Sequence, residues 1–332
     1  MSKEKYKIRL SYHTYYSLHD DMFTYNFCKE NGEPNKNKFF NTLITGFYNN
    51  FSYRRNNLTE YLSERYGNKF KGQNELIIFS NDIFSKINEL YNSDINTKYH
   101  NCEVYIYPTK ETSSMYDQIE TNETKNESMS EFIRNLFNEY IKEPGFERER
   151  CLYWKNYKAI VEAVESSKVL SISNDRDDRF DLKPFCITRN ADGDYNYLVG
   201  LNMSSKVPHM FSMKLSRIKS VIVKDEYFSF TQNEIKKFHT QLQDGPEFIC
   251  KNTSHAVIKF DKQGIKKYDT CHKDRPLPTD FNDETGEYIF DTDINKLFLY
   301  LLQFGKHAKV IEPIALKNKL NNFHRDAIDE NK

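Results

Sequence analysis

Residues 183–228 contain, in order, KPFCI (183–187), a turn at NADG (190–193), YNYLVGL (195–201) and MKLSRIKSVIV (213–223). Each apolar segment is short, and turn-forming residues separate the first two. This pattern is typical of consecutive strands. The stretch therefore predicts a run of short strands in one small β-barrel.

The barrel is flanked by a helix and by an α+β extension. A helix is predicted over 153–166, before the first strand. Beyond the barrel, a βα-alternating unit is predicted at 256–260 (strand), 293–304 (helix), 309–313 (strand) and 314–323 (helix). Asp293 is a good N-cap for the first of these helices. We therefore assign 151–232 to a linker helix plus barrel and 233–332 to an α+β extension.

Four short pieces of the C-terminal half resemble the WYL-domain family, in the family's order. They are the helix at 153–166, NYL (196–198) at the triplet that names the family, KLSRI (214–218) at its closing strand, and FGKHAKVIEP (304–313) at its last crossover and strand. The resemblance implies a small Sm-like β-barrel followed by a ferredoxin-like C-terminal extension.

The same resemblance implies a basic surface that binds nucleic acid or a nucleotide-like ligand. Carried over by position, its residues are Arg179, Tyr197, Lys214 and Arg217. Lys214 and Arg217 are three residues apart, so on a flat strand they point to opposite faces unless a bulge or a tight bend reorients one. Tyr197 as an ordinary core residue is the alternative interpretation.

The chain departs from the family at two positions of this surface. Asn196 replaces the first aromatic residue of the naming triplet, and no arginine stands just before Met213. His209 or Lys206 could substitute for that arginine. We include His209 among the expected nucleic-acid-binding residues.

The N-terminal half contains an internal repeat of one strand and two helices. The predicted elements are 6–11, 14–28 and 36–51 in the first copy, and 102–107, 113–120 and 130–141 in the second. Apolar residues fall at equivalent positions of the two second helices: Phe39, Phe40, Leu43, Ile44, Phe47 and Tyr48 in one, and Phe132, Ile133, Leu136, Phe137, Tyr140 and Ile141 in the other. Asn37 and Ser130 are the predicted N-caps. The linker at 56–99 predicts two further helices, at 58–66 and 81–91.

A strand followed by two helices, present twice, resembles the ribbon-helix-helix fold. That fold needs two copies, since a lone strand leaves its edge unpaired. Here both copies lie in one chain, which makes 1–150 a duplicated ribbon-helix-helix-like domain. An irregular helical domain whose Phe-rich helices match by composition is the alternative.

Side chains on the outer face of such a ribbon are candidates for binding a polyanion. Alternation along the strands turns Lys7 and Arg9 outward from the first copy, and Glu103, Tyr105 and Tyr107 outward from the second. Cations neutralise phosphate, and tyrosine rings stack on unpaired bases. A solvated strand face with ordinary tyrosines is the competing interpretation.

Charge and composition limit the remaining possibilities. The 332 residues carry 48 Lys and Arg against 48 Asp and Glu, so any nucleic-acid site is a local patch. No apolar run in the sequence is long enough to span a membrane, and the charged N-terminus does not resemble a signal peptide. The 6 cysteines lie scattered without a Cys-x-x-Cys motif, which favours reduced thiols and a cytoplasmic location.

Motifs for catalysis or cofactor binding are absent from the sequence. There is no Gly-x-Gly-x-x-Gly motif and no phosphate-binding loop, and no His pair has the spacing of a zinc-hydrolase helix. We expect no enzymatic activity, no metal site and no cofactor.

The combination of a WYL barrel with a ribbon-helix-helix-like half resembles the WYL accessory proteins of type VI-D CRISPR systems. The resemblance implies a homodimeric protein that binds single-stranded RNA and modulates an RNA-guided effector nuclease. One alternative is a transcriptional regulator that binds operator DNA and senses a ligand through the barrel. Another is a structural adaptor without nucleic-acid affinity.

Overall fold

The chain folds into helices and antiparallel strands, which gives the mixed α+β architecture expected from the sequence. The computed structural model describes residues 5–91, 102–123, 128–243, 245–249, 254–272, 274–282 and 285–331. The chain separates into two units, Met1–Trp154 and Lys155–Lys332. The boundary predicted between residues 232 and 233 lies inside the second unit and stays a prediction. In the described ranges, no helix is both long enough and apolar enough to cross a membrane.

The first unit is built from a two-stranded ribbon and helices. In chain order its elements are β1 (Tyr6–Leu10), α1 (Tyr12–Thr24), α2 (Lys36–Tyr66), α3 (Gln73–Tyr91), β2 (Cys102–Ile106), α4 (Ser113–Asn122), α5 (Met129–Tyr140) and α6 (Gly145–Leu152). β1 and β2 pair antiparallel with Ile8 opposite Val104 at the centre of the ribbon. The order strand, helix, helix occurs twice, as β1-α1-α2 and β2-α4-α5.

The facing sides of α2 and α5 form much of the core of this unit. Apart from Ile141, which is half-buried, the residues of both predicted apolar stripes are buried. The ring centroids of Phe40 and Phe137 lie 5.3 Å apart, and those of Phe47 and Tyr140 lie 5.7 Å apart. Each such buried side chain contributes about 1.5–3 kcal/mol to folding. The spacing of the apolar residues therefore predicted this helix pair correctly.

The predicted N-caps Asn37 and Ser130 are wrong by two residues. Asn35 caps α2 and Ser128 caps α5, each accepting a hydrogen bond from a first-turn backbone N–H at 3.2 Å. The correction is the same in both copies, so the equivalence of the two helices is preserved. Asn35 and Asn37 are both good capping residues, and sequence alone does not choose between them.

Asn37 and Ser130 contact the ribbon instead. The Asn37 Oδ1 atom accepts a hydrogen bond from the Tyr107 N–H at 2.9 Å. The Ser130 hydroxyl donates to the Lys7 carbonyl oxygen at 3.0 Å. Each second helix is thereby joined to the strand of the other copy.

The helix α2 is longer than predicted. The helices expected at 36–51 and 58–66 are one continuous helix, because residues 52–57 contain neither glycine nor proline to end it. The helix expected at 81–91 begins earlier, at Gln73. The end of the predicted linker, 92–99, and the predicted turn through Asn126 lie outside the described residues.

The second unit contains two antiparallel sheets and their helices. Its elements are α7 (Trp154–Glu165, which begins at the last residue of the first unit), β3 (Lys168–Asn174), β4 (Arg179–Arg189), β5 (Asn196–Asn202), β6 (His209–Lys214), β7 (Ile218–Tyr227), α8 (Gln232–Leu242), β8 (Ser254–Phe260), α9 (Lys262–Thr270), β9 (Asp280–Asn282), β10 (Glu287–Thr292), α10 (Ile294–Leu301), β11 (Ala308–Glu312) and α11 (Ile314–Glu330). The strands predicted from residues 183–228 correspond to β4 to β7.

These strands and β3 form an open sheet and not the predicted closed barrel. The strand order is β6-β5-β4-β3-β7. A barrel requires its first and last strands to pair. In the described residues β6 pairs with β5 alone and β7 with β3 alone, and a 3-10 turn, Leu215–Arg217, joins these two edge strands.

The extension forms a four-stranded sheet in the order β11-β8-β10-β9. Its core lies between this sheet and the helices α9, α10 and α11, and includes Ala256, Ile258, Phe260, Phe290, Leu297, Leu301, Phe304 and Leu316. Asp293 caps α10 as predicted, accepting from the N–H groups of Asn295 and Lys296 at 2.7 and 3.1 Å. The last helix continues to Glu330, beyond its predicted end at residue 323.

Candidate nucleic-acid interface

The ribbon in the first unit has a buried face and an exposed face. Ile8, Leu10, Val104 and Ile106 are buried against the helices. The exposed side consists of Lys5, Lys7, Arg9, Glu103, Tyr105 and Tyr107. We call this exposed set the ribbon face. The predicted direction of these side chains is confirmed, because period-two alternation fixes it once one side is buried.

Glu103 holds the two central cations of the ribbon face. Its Oε1 atom lies 2.7 Å from the Lys7 Nζ and 3.4 Å from the Arg9 Nε. The hydrogen bond from Lys7 lowers the pKa of Glu103, and the same contact raises the pKa of Lys7. A phosphate that binds here competes with Glu103 for both cations.

The tyrosines of the ribbon face remain accessible. Tyr105 is 40% exposed and Tyr107 is 41% exposed. The Lys5 Nζ lies 3.9 Å from the centroid of the Tyr105 ring, a cation–π contact. The Tyr105 hydroxyl donates a hydrogen bond to Glu103 at 3.2 Å. The ribbon face thus offers cations and stackable rings side by side.

The second unit contains a cavity of about 570 Å³ that gathers three of the predicted site residues. Its lining residues are Tyr197, Ser212, Met213, Lys214, Arg217, Glu247, Phe248, Asp274, Lys296, Leu299, Tyr300 and Gln303. We call it the Tyr197 cavity. The lining residues come from the open sheet and the turn after β6, from the turn at 246–248, from the loop at Asp274, and from α10 and the turn that follows it. These segments lie far apart in sequence.

Lys214 and Arg217 reach the same cavity because the chain turns between them. Lys214 is the last residue of β6, and Leu215–Arg217 form the 3-10 turn that follows. In a 3-10 turn, residues three apart lie on the same side. The sequence prediction of opposite faces holds only for a flat strand.

Tyr197 is both buried and part of the cavity wall. It is 6% exposed and pairs in register with Lys214 on the neighbouring strand. The Lys214 Nζ lies 3.3 Å from the Tyr195 ring centroid and 5.9 Å from that of Tyr197. The ring of Tyr197 therefore packs in the sheet, as the core interpretation expects, and also borders the cavity. Its role in binding stays a prediction.

Arg179 and His209 do not line this cavity. Arg179 is exposed at the start of β4, beside Asp177, whose pKa is lowered mainly by a hydrogen bond from Lys219. His209 begins β6 and pairs with Asn202. Lys214 ends the same strand, so the two positions are separated by roughly 17 Å of extended chain. The structure brings Tyr197, Lys214 and Arg217 together and leaves these two residues apart.

One face of α10 and of the 3-10 turn that follows it, Leu302–His307, lines the cavity. The sequence analysis did not predict this face as part of a site. Lys296, Leu299, Tyr300 and Gln303 recur at the i, i+3, i+4, i+7 spacing of one helix face. The N-cap at Asp293 and this spacing were visible in the sequence. Nothing local indicated that the face lies opposite β6.

Glu247 is a buried carboxylate in the cavity wall that was also missed. Burial raises the pKa of Glu247, and the charges of Asp274 and Asp192 act in the same direction. A hydrogen bond from its own backbone N–H and the charge of Lys296 lower it. Over the described part of the chain, no three His, Cys, Asp or Glu side chains come together as a metal-binding group. The cavity therefore combines cations, aromatic rings and one buried acid.

Comparisons with known proteins establish the fold. No family model and no curated protein matches the chain. A solved structure described as "Crystal structure of a CRISPR Cas-related protein" aligns with a TM-score of 0.71 and 19% identity, over 98% of this chain and 94% of that chain. The two proteins share a fold along nearly their whole length.

A second solved structure gives a much weaker alignment. Proteasome accessory factor B/C (PafBC) of Arthrobacter aurescens aligns with a TM-score of 0.28 and 14% identity, over 69% of this chain and 37% of that chain. This score does not establish a shared fold.

Proposed function

We propose that this protein is a non-catalytic accessory protein that binds single-stranded RNA and stimulates an RNA-targeting CRISPR effector nuclease of type VI-D. The observation that carries the RNA-binding part is the Tyr197 cavity, where Lys214, Arg217 and Lys296 line the same space as Tyr300. Cations of this kind neutralise phosphates, and aromatic rings stack on bases.

The shape of the cavity favours an unpaired strand over a duplex. Its volume of about 570 Å³ is in the range of pockets for small ligands and can hold one nucleotide. A base enters such a cavity only if it is not stacked and paired in a double helix. Single strands meet this condition without the cost of opening a duplex.

The ribbon face supplies a second surface with similar chemistry. Lys5, Lys7 and Arg9 lie beside two exposed tyrosines, a combination used for sequence-tolerant binding of single strands. Glu103 limits the positive charge of this face. We therefore expect the ribbon face to contribute less to the affinity for RNA than the Tyr197 cavity does.

The link to CRISPR systems rests on the shared fold and on the sequence resemblance. The whole-chain alignment is with a CRISPR Cas-related protein. The NYL and KLSRI segments and the duplicated strand-helix-helix order resemble WYL accessory proteins of type VI-D systems. We include in the proposal that the protein is a homodimer, as that resemblance implies.

A transcriptional regulator is the second candidate, and the ribbon favours it. A two-stranded antiparallel ribbon fits the major groove of duplex DNA, where outward side chains contact base edges. Lys7, Arg9 and Tyr105 point outward from such a ribbon here. In this alternative the Tyr197 cavity holds a regulatory ligand.

Binding measurements separate the two candidates. Fluorescence anisotropy of the full-length chain with labelled single-stranded RNA, single-stranded DNA and duplex DNA at one salt concentration gives the three affinities. We expect the tightest binding to single-stranded RNA. Cleavage by a type VI-D effector, measured with and without the protein, then tests stimulation.

The outcomes point to different functions. Preference for duplex DNA with a defined site supports the regulator and overturns RNA binding. No binding at physiological salt supports a structural adaptor. RNA binding without any change in effector cleavage removes the accessory role and keeps the RNA site.

A further inference from the structure

Glu247, which lines the Tyr197 cavity, has a buried carboxylate oxygen without a hydrogen bond in the described part of the chain. Glu247 is 6% exposed, and its Oε2 atom has no hydrogen-bond partner among the described residues. A buried carboxylate oxygen without a donor costs free energy, because it has lost its water. A ligand that brings an N–H group to this oxygen is therefore favoured.

The carboxylate lies close to the backbone of the turn that carries it, and that turn is tied to the sheet. Gly245 has a φ of 108°, which strains any larger residue, and a Cβ atom there would lie 2.8 Å from the Glu247 Oε2 and displace the carboxylate. The Ser212 hydroxyl donates to the Pro246 carbonyl oxygen at 2.6 Å. This contact joins the turn that carries Glu247 to β6, the strand that ends at Lys214.

The cavity has complementary groups for the two ends of a nucleotide. Lys214 and Arg217 suit the phosphate, whereas Glu247 accepts hydrogen bonds and repels a second anion. Tyr300 and Phe248 line the space that these groups share. A ligand with an anionic end, a flat ring and an exocyclic amino group satisfies all of them.

We propose that Glu247 selects the base of the nucleotide in this cavity by accepting a hydrogen bond from an exocyclic amino group. The inference rests on the proposed function, which brings a nucleotide phosphate to Lys214 and Arg217. Cytosine, adenine and guanine carry such amino groups. Uracil presents carbonyl oxygens in place of these amino groups. These oxygens repel a carboxylate, and the one ring N–H of uracil, at N3, lies between two of them. Glu247 thus favours amino-bearing nucleotides over uridine.

Cytidine and uridine monophosphate form a closely matched pair of probes, since the amino group at position 4 of cytosine is a carbonyl oxygen in uracil. Isothermal titration calorimetry of the full-length protein measures both affinities at one pH and salt concentration. We expect cytidine monophosphate to bind about tenfold more tightly than uridine monophosphate, the size of one specific base contact. Equal affinities, or binding of neither nucleotide, overturn the inference without any variant.

Variants then assign the preference to Glu247. Glu247→Gln can both donate and accept, so we expect it to bring the ratio of the two affinities close to one. Asp192→Asn is a matched control, since it removes an acidic charge that also acts on Glu247 but does not line the Tyr197 cavity. We expect this control to keep the preference. A preference that persists in Glu247→Gln overturns the inference.

One further variant separates this inference from the proposed function. Arg217→Ala should weaken the binding of both nucleotides and of single-stranded RNA by similar factors. It should leave the base preference intact. RNA binding that depends on Arg217 but shows no base preference keeps the proposed function and overturns the role of Glu247. A base preference for mononucleotides without any RNA binding keeps the role of Glu247 and overturns the proposed function.

Discussion

Asn41 and Arg134 occupy equivalent positions on α2 and α5, and each donates a hydrogen bond to the backbone of the other copy, at or directly after its strand. The Asn41 Nδ2 lies 3.1 Å from the Tyr107 carbonyl oxygen. The Arg134 Nε lies 2.9 Å from the Arg9 carbonyl oxygen. Because each helix satisfies backbone groups of the other copy, we expect the two copies to unfold together.

Asn41→Ala should destabilise the first unit by about 1–3 kcal/mol. Asn41 is buried, and its side chain also accepts a hydrogen bond from the Thr112 hydroxyl at 2.8 Å. The substitution leaves these groups without their partner. Urea unfolding measures the effect, and Asn49→Ala, at an exposed position of the same helix, is the control. Equal loss in both variants would show that the buried contacts contribute nothing.

Lys7→Ala combined with Arg9→Ala should make RNA binding less sensitive to salt. For single strands, each lost phosphate contact reduces the slope of log K against log salt by about 0.7. Glu103→Gln frees both cations from their carboxylate and should act in the opposite direction. Anisotropy titrations at several salt concentrations give the slopes. Identical slopes in all three proteins exclude the ribbon face from the RNA site.

Arg217→Ala should weaken RNA binding with little effect on the melting temperature, because Arg217 is exposed. Arg179→Ala is the matched control, an exposed arginine of the same unit outside the Tyr197 cavity. Tyr197→Ala removes a buried ring and should cost about 3–5 kcal/mol of stability. Anisotropy and thermal melting measure the two effects. Equal losses of affinity for both arginines argue against the cavity as the site.

Arg148→Met should destabilise the first unit by about 3–5 kcal/mol near neutral pH. The Arg148 Nη1 lies 2.7 Å from the Asp21 Oδ1, and both side chains are largely buried. Without the guanidinium, the buried Asp21 loses the charge that compensates it and must stay ionised without a partner or take up a proton. Urea unfolding at pH 7.5 gives the loss.

That loss should shrink in acid. Burial raises the pKa of Asp21 to about 6, and Arg148 and Tyr140 oppose this effect while Asp20 adds to it. Since its folded pKa lies above the unfolded value, the folded state binds more protons than the unfolded state between about pH 4 and 6. Asp21 therefore stabilises the fold increasingly as pH falls through this window. A destabilisation that is the same at pH 7.5 and 5 contradicts this account.

Local patterns in the sequence were sufficient to predict some features of the structure and not others. The directions of Ile8 and Val104 follow from alternation, and the α2–α5 core follows from helical spacing. Closure of a barrel depends on the pairing of its first and last strands, which no local pattern encodes. Tyr197, Lys214 and Arg217 were predicted from the resemblance to the WYL family, and the structure places all three in one cavity. Glu247 and the α10 residues reach the same cavity only through tertiary packing.

The ribbon of the first unit is made from two strands of one chain, so its two strands carry different side chains. In a ribbon built from two identical subunits, both strands carry the same side chains and the surface reads the same from either end. Here Lys7 and Arg9 come from β1, whereas Tyr105 and Tyr107 come from or directly follow β2. Such a surface has no twofold symmetry. A nucleic-acid strand bound to it should therefore have one preferred 5′-to-3′ direction, and an inverted repeat in that strand should not increase its affinity.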